Sequence, residues 1–422
     1  MNGIARRIGP GLITGAADDD PSGIATYSQA GSEFRFGLVW TLLLTTPLMI
    51  GIQMLSARIG WVTGEGLGAN IAKICPRWLT FSLVGLLVVA NTINIAADIG
   101  AMGEAARLLV GGHTSAHVVG FGVLSIVTQV LFSYERTVRI LKWLTCALFA
   151  YVAVVLSVAV PWKQVVAEGL MPWRYFPDDV SVNAYASMVV AMLGTTISPY
   201  LFFWQASQEV EDNQRRPEAR TLRSHPDYAA EHLGRIKSDT YVGMIFSNVI
   251  ALCIVVATAV TLNLQGITNI QTSSQAAEAL KPVAGNFAFA VFSLGIVGTG
   301  LLAVPVLAGS AAYAVSEVLG WKSGLSRGFR EARGFYVIII AATLIGTSMS
   351  TLQVDPIKAL VWSAIVNGVI SVPVMVVMML IGQSSRLMGE FVISRRHRVF
   401  GWAATAVMAL AVAFMLATSF SN

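Results

Sequence analysis

The chain has 422 residues, of which 55% are hydrophobic and only 12% charged, with a formal net charge of +5. Apolar runs of about twenty residues, the length that crosses a bilayer, recur along it, so a soluble domain is excluded and an all-α polytopic membrane protein is the class. The positive balance could suit nucleic acid, but the cations fall between the apolar runs, which excludes nucleic acid as a partner.

Eleven apolar runs follow in chain order, at about 9–32, 36–60, 79–108, 116–133, 141–161, 184–208, 240–262, 285–317, 334–352, 357–382 and 399–419. Arg6 and Arg7 lead directly into the first, with no small-residue cleavage site, so no removable signal peptide is expected. With the N-terminus cytoplasmic, 22 of the 28 lysines and arginines lie on the cytoplasmic side and 6 outside (Arg35, Arg107, Lys163, Arg174, Lys281 and Lys358). Lysine and arginine bias sets orientation, so the N-terminus is expected in the cytoplasm and the C-terminus outside, in a cell membrane such as the bacterial inner membrane. The same bias assigns the net charge to topology. The polar insert at 211–239 needs no separate soluble domain, and the whole of 1–422 reads as one transporter domain.

The first run contains GLITGAADDDPSGIATYSQAG, residues 11–31, with Asp18, Asp19 and Asp20 in sequence before Pro21. The sixth contains GTTISPY, where Pro199 again follows small polar residues. Breaks in runs one and six are five runs apart, the spacing of two inverted five-helix repeats, at about 9–161 and 184–382, with an extra helix at about 399–419. Broken backbone at membrane depth is tolerated only when buried in protein or lining a cavity, so the two breaks are expected to face each other.

One carboxylate at the bilayer centre costs on the order of 2.5–3.5 kcal/mol, so three require compensation. Successive helical residues point about 100° apart and cannot all address one ligand. Asp20, beside the break, is expected at the central site, with Asp18 or Asp19 turned toward a vestibule or a neighbouring helix. The competing reading is that the acids cap the second half-helix. The sixth run supplies Thr195, Thr196 and Ser198, whose hydroxyls and freed carbonyls are hard oxygen donors for a cation such as Mg²⁺, Mn²⁺ or Ca²⁺. Local backbone hydrogen bonding is the alternative role for these hydroxyls.

In the third run Asn91, Asn94 and Asp98 share one helical face, and in the tenth Ser363, Asn367 and Ser371 do the same. Both stripes are expected to point into the bundle, with Asn94 and Asn367 as supporting polar groups. Asp98, with Asp19, is the candidate for a proton or ion pathway. Glu104 is read as lining a vestibule or pairing with Arg107. All five histidines fall in loops, so no imidazole relay crosses the membrane. Neither a nucleophile and base pair nor a cofactor loop is present, so catalysis and a resident cofactor are not expected, and Cys75, Cys146 and Cys253 suggest no disulfide or thiolate site.

GPGLITGAADDDPSGIATYSQAG resembles the first helix of the natural resistance-associated macrophage protein (NRAMP) transporters, where GPG precedes a D-P-G-N break followed by A-T and Q-A-G. LGTTISPYLFFWQ resembles their G-A-T-V-M-P-H break, and ADIGAMG their D-[IL]-A-E-V-[IL]-G. The resemblance covers nearly the whole chain and implies a LeuT-like fold with proton-coupled import of Mn²⁺ and Fe²⁺. Asp20 matches the family's metal-binding aspartate and Asp98 its third-helix aspartate. Gly23 replaces the asparagine, Ser22 the glycine, Thr195 the carbonyl-donating alanine, Ser198 the sulfur-donating methionine, Tyr200 the histidine and Ala101 the glutamate. The soft ligand and much of the proton relay are therefore absent, as in the NRAMP-related magnesium transporters, although their retained asparagine is absent too.

These residues suggest a secondary transporter of a divalent metal cation, of the Mn²⁺ and Fe²⁺ class or harder ions such as Mg²⁺. Its metal site would comprise Asp20, Ser22, Thr195 and Ser198, and the bilayer and the ion would be its partners. The alternative is a carrier of a small cationic or zwitterionic organic solute on the same scaffold.

Overall fold

The computed structural model describes residues 10–132, 145–171, 181–214, 229–351 and 355–420, which are helical with short connections and contain no strand. Among these residues nine helices are long and apolar enough to cross a membrane, or ten if one bent pair counts as a span. They correspond to the second to fourth and sixth to eleventh predicted runs. The first run, which falls outside this count, is split into α1 (Pro10–Asp18) and α2 (Pro21–Phe34). The second, third and fourth are α3 (Val39–Thr63), α4 (Arg77–Val110) and α5 (Thr114–Leu131).

The fifth predicted run begins outside the described residues; its remainder is a short 3₁₀ turn leading into α6 (Phe149–Ser157). Pro161 then starts a helix at Trp162–Leu170, bent 109° from the preceding segment. The sixth run is split into α7 (Val182–Thr196) and α8 (Pro199–Gln214). The rest are α9 (Ala229–Thr261), α10 (Ala288–Leu319), α11 (Arg333–Ser350), α12 (Pro356–Gln383) and α13 (Arg395–Phe420). Of the polar insert at 211–239, the two ends belong to α8 and α9, and 215–228 lie outside the described residues.

The broken spans form where the sequence predicts them. A proline lacks the amide that would continue a helix, and its ring clashes with the preceding turn, yet it suits the first position of a new helix. Pro21 and Pro199 occupy that position in α2 and α8. The halves pair across the molecule, α1 against α8 and α2 against α7, so the two breaks meet.

α9 supports both halves of the first span. The amide of Gly11 donates to Asp239 Oδ2 at 2.6 Å, and a Cβ at Gly15 would collide with the backbone of Gly243. Further along, a Cβ at Gly31 would strike Val255 and Thr258. Glycine therefore lets the backbones touch where any side chain would separate them.

At the end of the bundle where α8 finishes, buried acids hold neighbouring elements together. Glu209 accepts from the Trp61 indole and from Arg235 at 2.7 Å. Glu211 takes the Tyr313 hydroxyl and the amides of Leu325 and Ser326, the last two at 2.7 and 3.0 Å. Glu317 accepts from Ser207 at 2.6 Å and from the Gly68 amide at 2.9 Å.

Candidate functional site

Asp20 lies between α1 and α2 in extended conformation and caps α2. Its Oδ1 accepts from the Gly23 amide and the Ser22 hydroxyl, both at 2.7 Å. An aspartate in this role relieves one of the helix's unpaired amides and is worth about 0.5–2 kcal/mol. Its Oδ2 turns to the other elements: the Tyr200 hydroxyl donates at 3.2 Å from α8, and the Asn94 amide at 3.4 Å from α4. The capping and central-site readings thus each describe one oxygen of the same carboxylate.

Tyr200 also donates to the Ala17 carbonyl at 3.3 Å, spanning the two breaks. Between α2 and α7 the approach is equally close, for a Cβ on Gly23 would lie 3.2 Å from the Thr195 hydroxyl oxygen. Glycine at the family's asparagine position therefore makes room for the threonine at the alanine position.

The hydroxyls of Thr196 and Ser198 serve their own span. Ser198 Oγ donates to the carbonyls of Gly194 and Thr195 at 2.9 and 3.0 Å, and Thr196 to those of Met192 and Leu193. This is local backbone bonding, the alternative to ligation, and it follows from the carbonyls left unpaired where α7 ends.

Asp18, the last residue of α1, and Asp19, just past it, both turn toward α9 and share one donor. Ser247 donates to Asp18 Oδ2 at 2.7 Å and to Asp19 Oδ1 at 3.1 Å. Their other oxygens, Asp18 Oδ1 and Asp19 Oδ2, are buried without a hydrogen bond.

Asp98 and Asn367 are buried, and none of their side-chain polar atoms has a hydrogen-bond partner. Buried polar groups are ordinarily satisfied, so these two side chains keep hydrogen-bonding capacity unused by the protein's own side chains. Asn94 is likewise left with a free Oδ1. Asn91 is structural: its amide ties α4 to the Leu307 carbonyl and the Ser310 hydroxyl of α10. Ser363 and Ser371 bond only to their own helix. Glu104, read as lining a vestibule or pairing with Arg107, accepts from Ser273 at 2.8 Å, because the segment before α10 folds over the end of α4.

Tyr200 as a partner of Asp20, and Ser247 as the bridge beneath Asp18 and Asp19, are not apparent from the sequence. A serine within MIFSNVIAL is a weak signal by itself, although three acids in one span imply a donor on some facing helix. Among the described residues no three histidine, cysteine or acidic side chains converge on a point. A cation at the breaks would therefore meet fewer than three such side chains, Asp20 among them.

Two broken helices meeting around a buried carboxylate, in an all-helical bundle, define the class: a membrane transporter of LeuT-like fold. Residues 11–418 match the family model for natural resistance-associated macrophage protein-like proteins, and the chain belongs to that family. The divalent metal cation transporter MntH of Klebsiella pneumoniae (strain 342) is 24% identical over 406 residues, covering 95% of this chain and 91% of that protein. A manganese transporter of Eremococcus coleocola, solved with an aromatic bis-isothiourea compound, is similar with a TM-score of 0.72 at 18% identity, over 100% of this chain and 90% of that one. A nucleobase-cation-symport-1 family transporter shares the fold more distantly, with a TM-score of 0.51 at 13% identity, over 98% of this chain and 93% of that one.

Proposed function

We propose that this protein is a secondary transporter carrying a divalent metal cation across the membrane by alternating access around the paired breaks. The observation that carries the reading is Asp20: a buried carboxylate at the break of one span, with its Oδ2 turned toward the other broken span and toward Asn94. Family membership and the functions named for the similar transporters support a divalent metal as substrate.

The ion draws on Asp20, the Ser22 hydroxyl, the Thr195 carbonyl and Ser198. For the last two to serve, Ser198 must release the carbonyl it now holds. All are oxygen donors, and the family's thioether is replaced by Ser198, so hard ions such as Mg²⁺ compete on better terms with Mn²⁺ and Fe²⁺. The tight fit of Gly23 against Thr195, where a Cβ would stand only 3.2 Å from the hydroxyl, supports an ion-sized cargo over an organic solute. Asp98 and Asp19 stand along the ion or proton route, with Asn94 and Asn367 as polar support.

The chain acts as one domain of two inverted repeats with an extra helix, its N-terminus cytoplasmic, in a cell membrane. On that orientation the buried acids around Glu209, Glu211 and Glu317 close the cytoplasmic end.

Uptake into proteoliposomes tests the reading. Asp20→Ala is expected to abolish Mn²⁺ and Mg²⁺ entry, while Asp18→Ala, whose carboxylate faces Ser247 instead, only weakens it. Unchanged uptake in the Asp20 variant would reject the central site.

A further inference from the structure

A crevice separate from the paired breaks opens between α3, α12 and α13, with Arg58 and His397 on its walls beside Met54 and Met379. It exists because Gly51 and Gly401 carry no side chain there. A Cβ on Gly401 would strike Met379, and one on Gly51 would just reach Phe400 at 4.0 Å.

The charge in this crevice is one-sided. Arg58 is half-buried, its Nε is sealed from solvent without a hydrogen-bond partner, and among the described residues no carboxylate pairs with it. His397 lies in the field of both Arg58 and Lys237. Its Nδ1 is taken up by the Ser394 hydroxyl at 2.8 Å, which leaves Nε2 as the ring nitrogen available to a ligand. Arg395, Arg396 and Arg398 are exposed around the mouth.

Positive-inside topology accounts for cations at an exposed helix end. It does not account for a guanidinium drawn between helices, where loss of water is unfavourable unless an anion compensates. Phe400, 52% exposed and next to Gly51, continues the crevice with an apolar surface.

We propose that this crevice binds the phosphate of an anionic phospholipid, with Arg58 gripping the headgroup and an acyl chain lying along Phe400. The planar guanidinium fork matches two phosphate oxygens, and basic pockets between membrane helices at the cytoplasmic face suit such headgroups. The assignment rests on the N-terminus-in orientation but not on the identity of the cargo.

The test is calorimetric titration of the full chain in maltoside micelles with dioctanoyl phosphatidylglycerol, dioctanoyl phosphatidylcholine, glycerol 3-phosphate and inorganic phosphate. Phosphatidylglycerol is expected to bind about tenfold or more tighter than phosphatidylcholine, and tighter than either free phosphate. Arg58→Gln removes that preference, whereas Arg333→Gln, an exposed cation on the same face, leaves it unchanged. Should Arg58→Gln fail to fold, Arg58→Lys, which keeps the charge without the fork, and His397→Gln are each expected to weaken the lipid several-fold. Equal binding of free phosphate, lost in the Arg58 variants, would keep an anion site but overturn the lipid as its occupant. No headgroup preference, or the same loss in Arg58→Gln and Arg333→Gln, would overturn the site.

Discussion

Tyr200→Phe isolates one hydroxyl at the paired breaks. That hydroxyl shares its one proton between Asp20 Oδ2 at 3.2 Å and the Ala17 carbonyl at 3.3 Å, both longer than the ordinary O–H···O range. A hydrogen bond to a charged group contributes about 1.5–3 kcal/mol, and this length favours the lower figure. A divalent cation drawing on Oδ2 must displace the hydroxyl, so each binding event forgoes about that much. Removing the hydroxyl while keeping the ring should therefore tighten the cation by about 1.4 kcal/mol, or about tenfold. The gain should be similar for Mn²⁺ and Mg²⁺, since it acts through the carboxylate both ions use. The same deletion leaves the Ala17 carbonyl short of a partner and should lower stability by about 1 kcal/mol. Calorimetric titration with each ion, beside a thermal melt, measures both effects, with Asp20→Ala as the non-binding reference. Unchanged or weaker binding would refute the reasoning: either the hydroxyl yields nothing to the ion or it is itself a ligand.

Three further outcomes are expected. Ser198→Met removes the hydroxyl that holds the Gly194 and Thr195 carbonyls and adds a polarizable sulfur, so the affinity ratio of Cd²⁺ to Mg²⁺ should rise about tenfold in competition titrations. Metal entry should be weakly coupled to protons or uncoupled, because Asp98 has no hydrogen-bonded group to pass a proton onward. Vesicles loaded with a pH-sensitive dye should show little acidification as metal enters, and robust proton influx abolished by Asp98→Asn would identify Asp98 as the coupling residue. Arg235→Gln strips the charge partner from Glu209, whose side chain is wholly buried, and should destabilise the protein by about 3–5 kcal/mol in a denaturation series.

The two breaks are legible in the sequence because proline acts locally: it removes an amide wherever it stands, and Pro21 and Pro199 open new helices in the structure as they do on paper. The direction of the acids is less so, since Asp19 and Asp20 lie beyond the end of α1, outside regular helical geometry, and Asp18 and Asp19 converge on one serine. Their partners are another matter. Ser247 lies about 230 residues further along the chain, and nothing in its neighbours distinguishes it from a serine that bonds to its own helix.

Tyr200 illustrates the same limit. As a replacement for the family's histidine it reads as a lost relay, whereas its reach across to Ala17 and Asp20 depends on how closely α8 approaches α1. The acids at 209 and 211 read as the start of a solvated loop because they introduce a charged stretch. The structure instead extends α8 to Gln214 and packs them beneath α3, α9 and α10. Burial at a helix end is decided by what lies opposite, which one-dimensional composition does not contain.

The bare contact between α1 and α9 has a mechanical consequence. Side chains that interlock must shear past one another when helices part, but Gly15 and Gly243 meet as smooth backbone, where each atomic contact is worth only about 0.1–0.2 kcal/mol. The join behaves as a door resting flush against its frame, held at its free edge by the clasp from the Gly11 amide to Asp239. A second clasp, the Ser247 hydroxyl on Asp18 and Asp19, closes the other end, so resistance to parting is concentrated at the two ends of the seam rather than spread over its area.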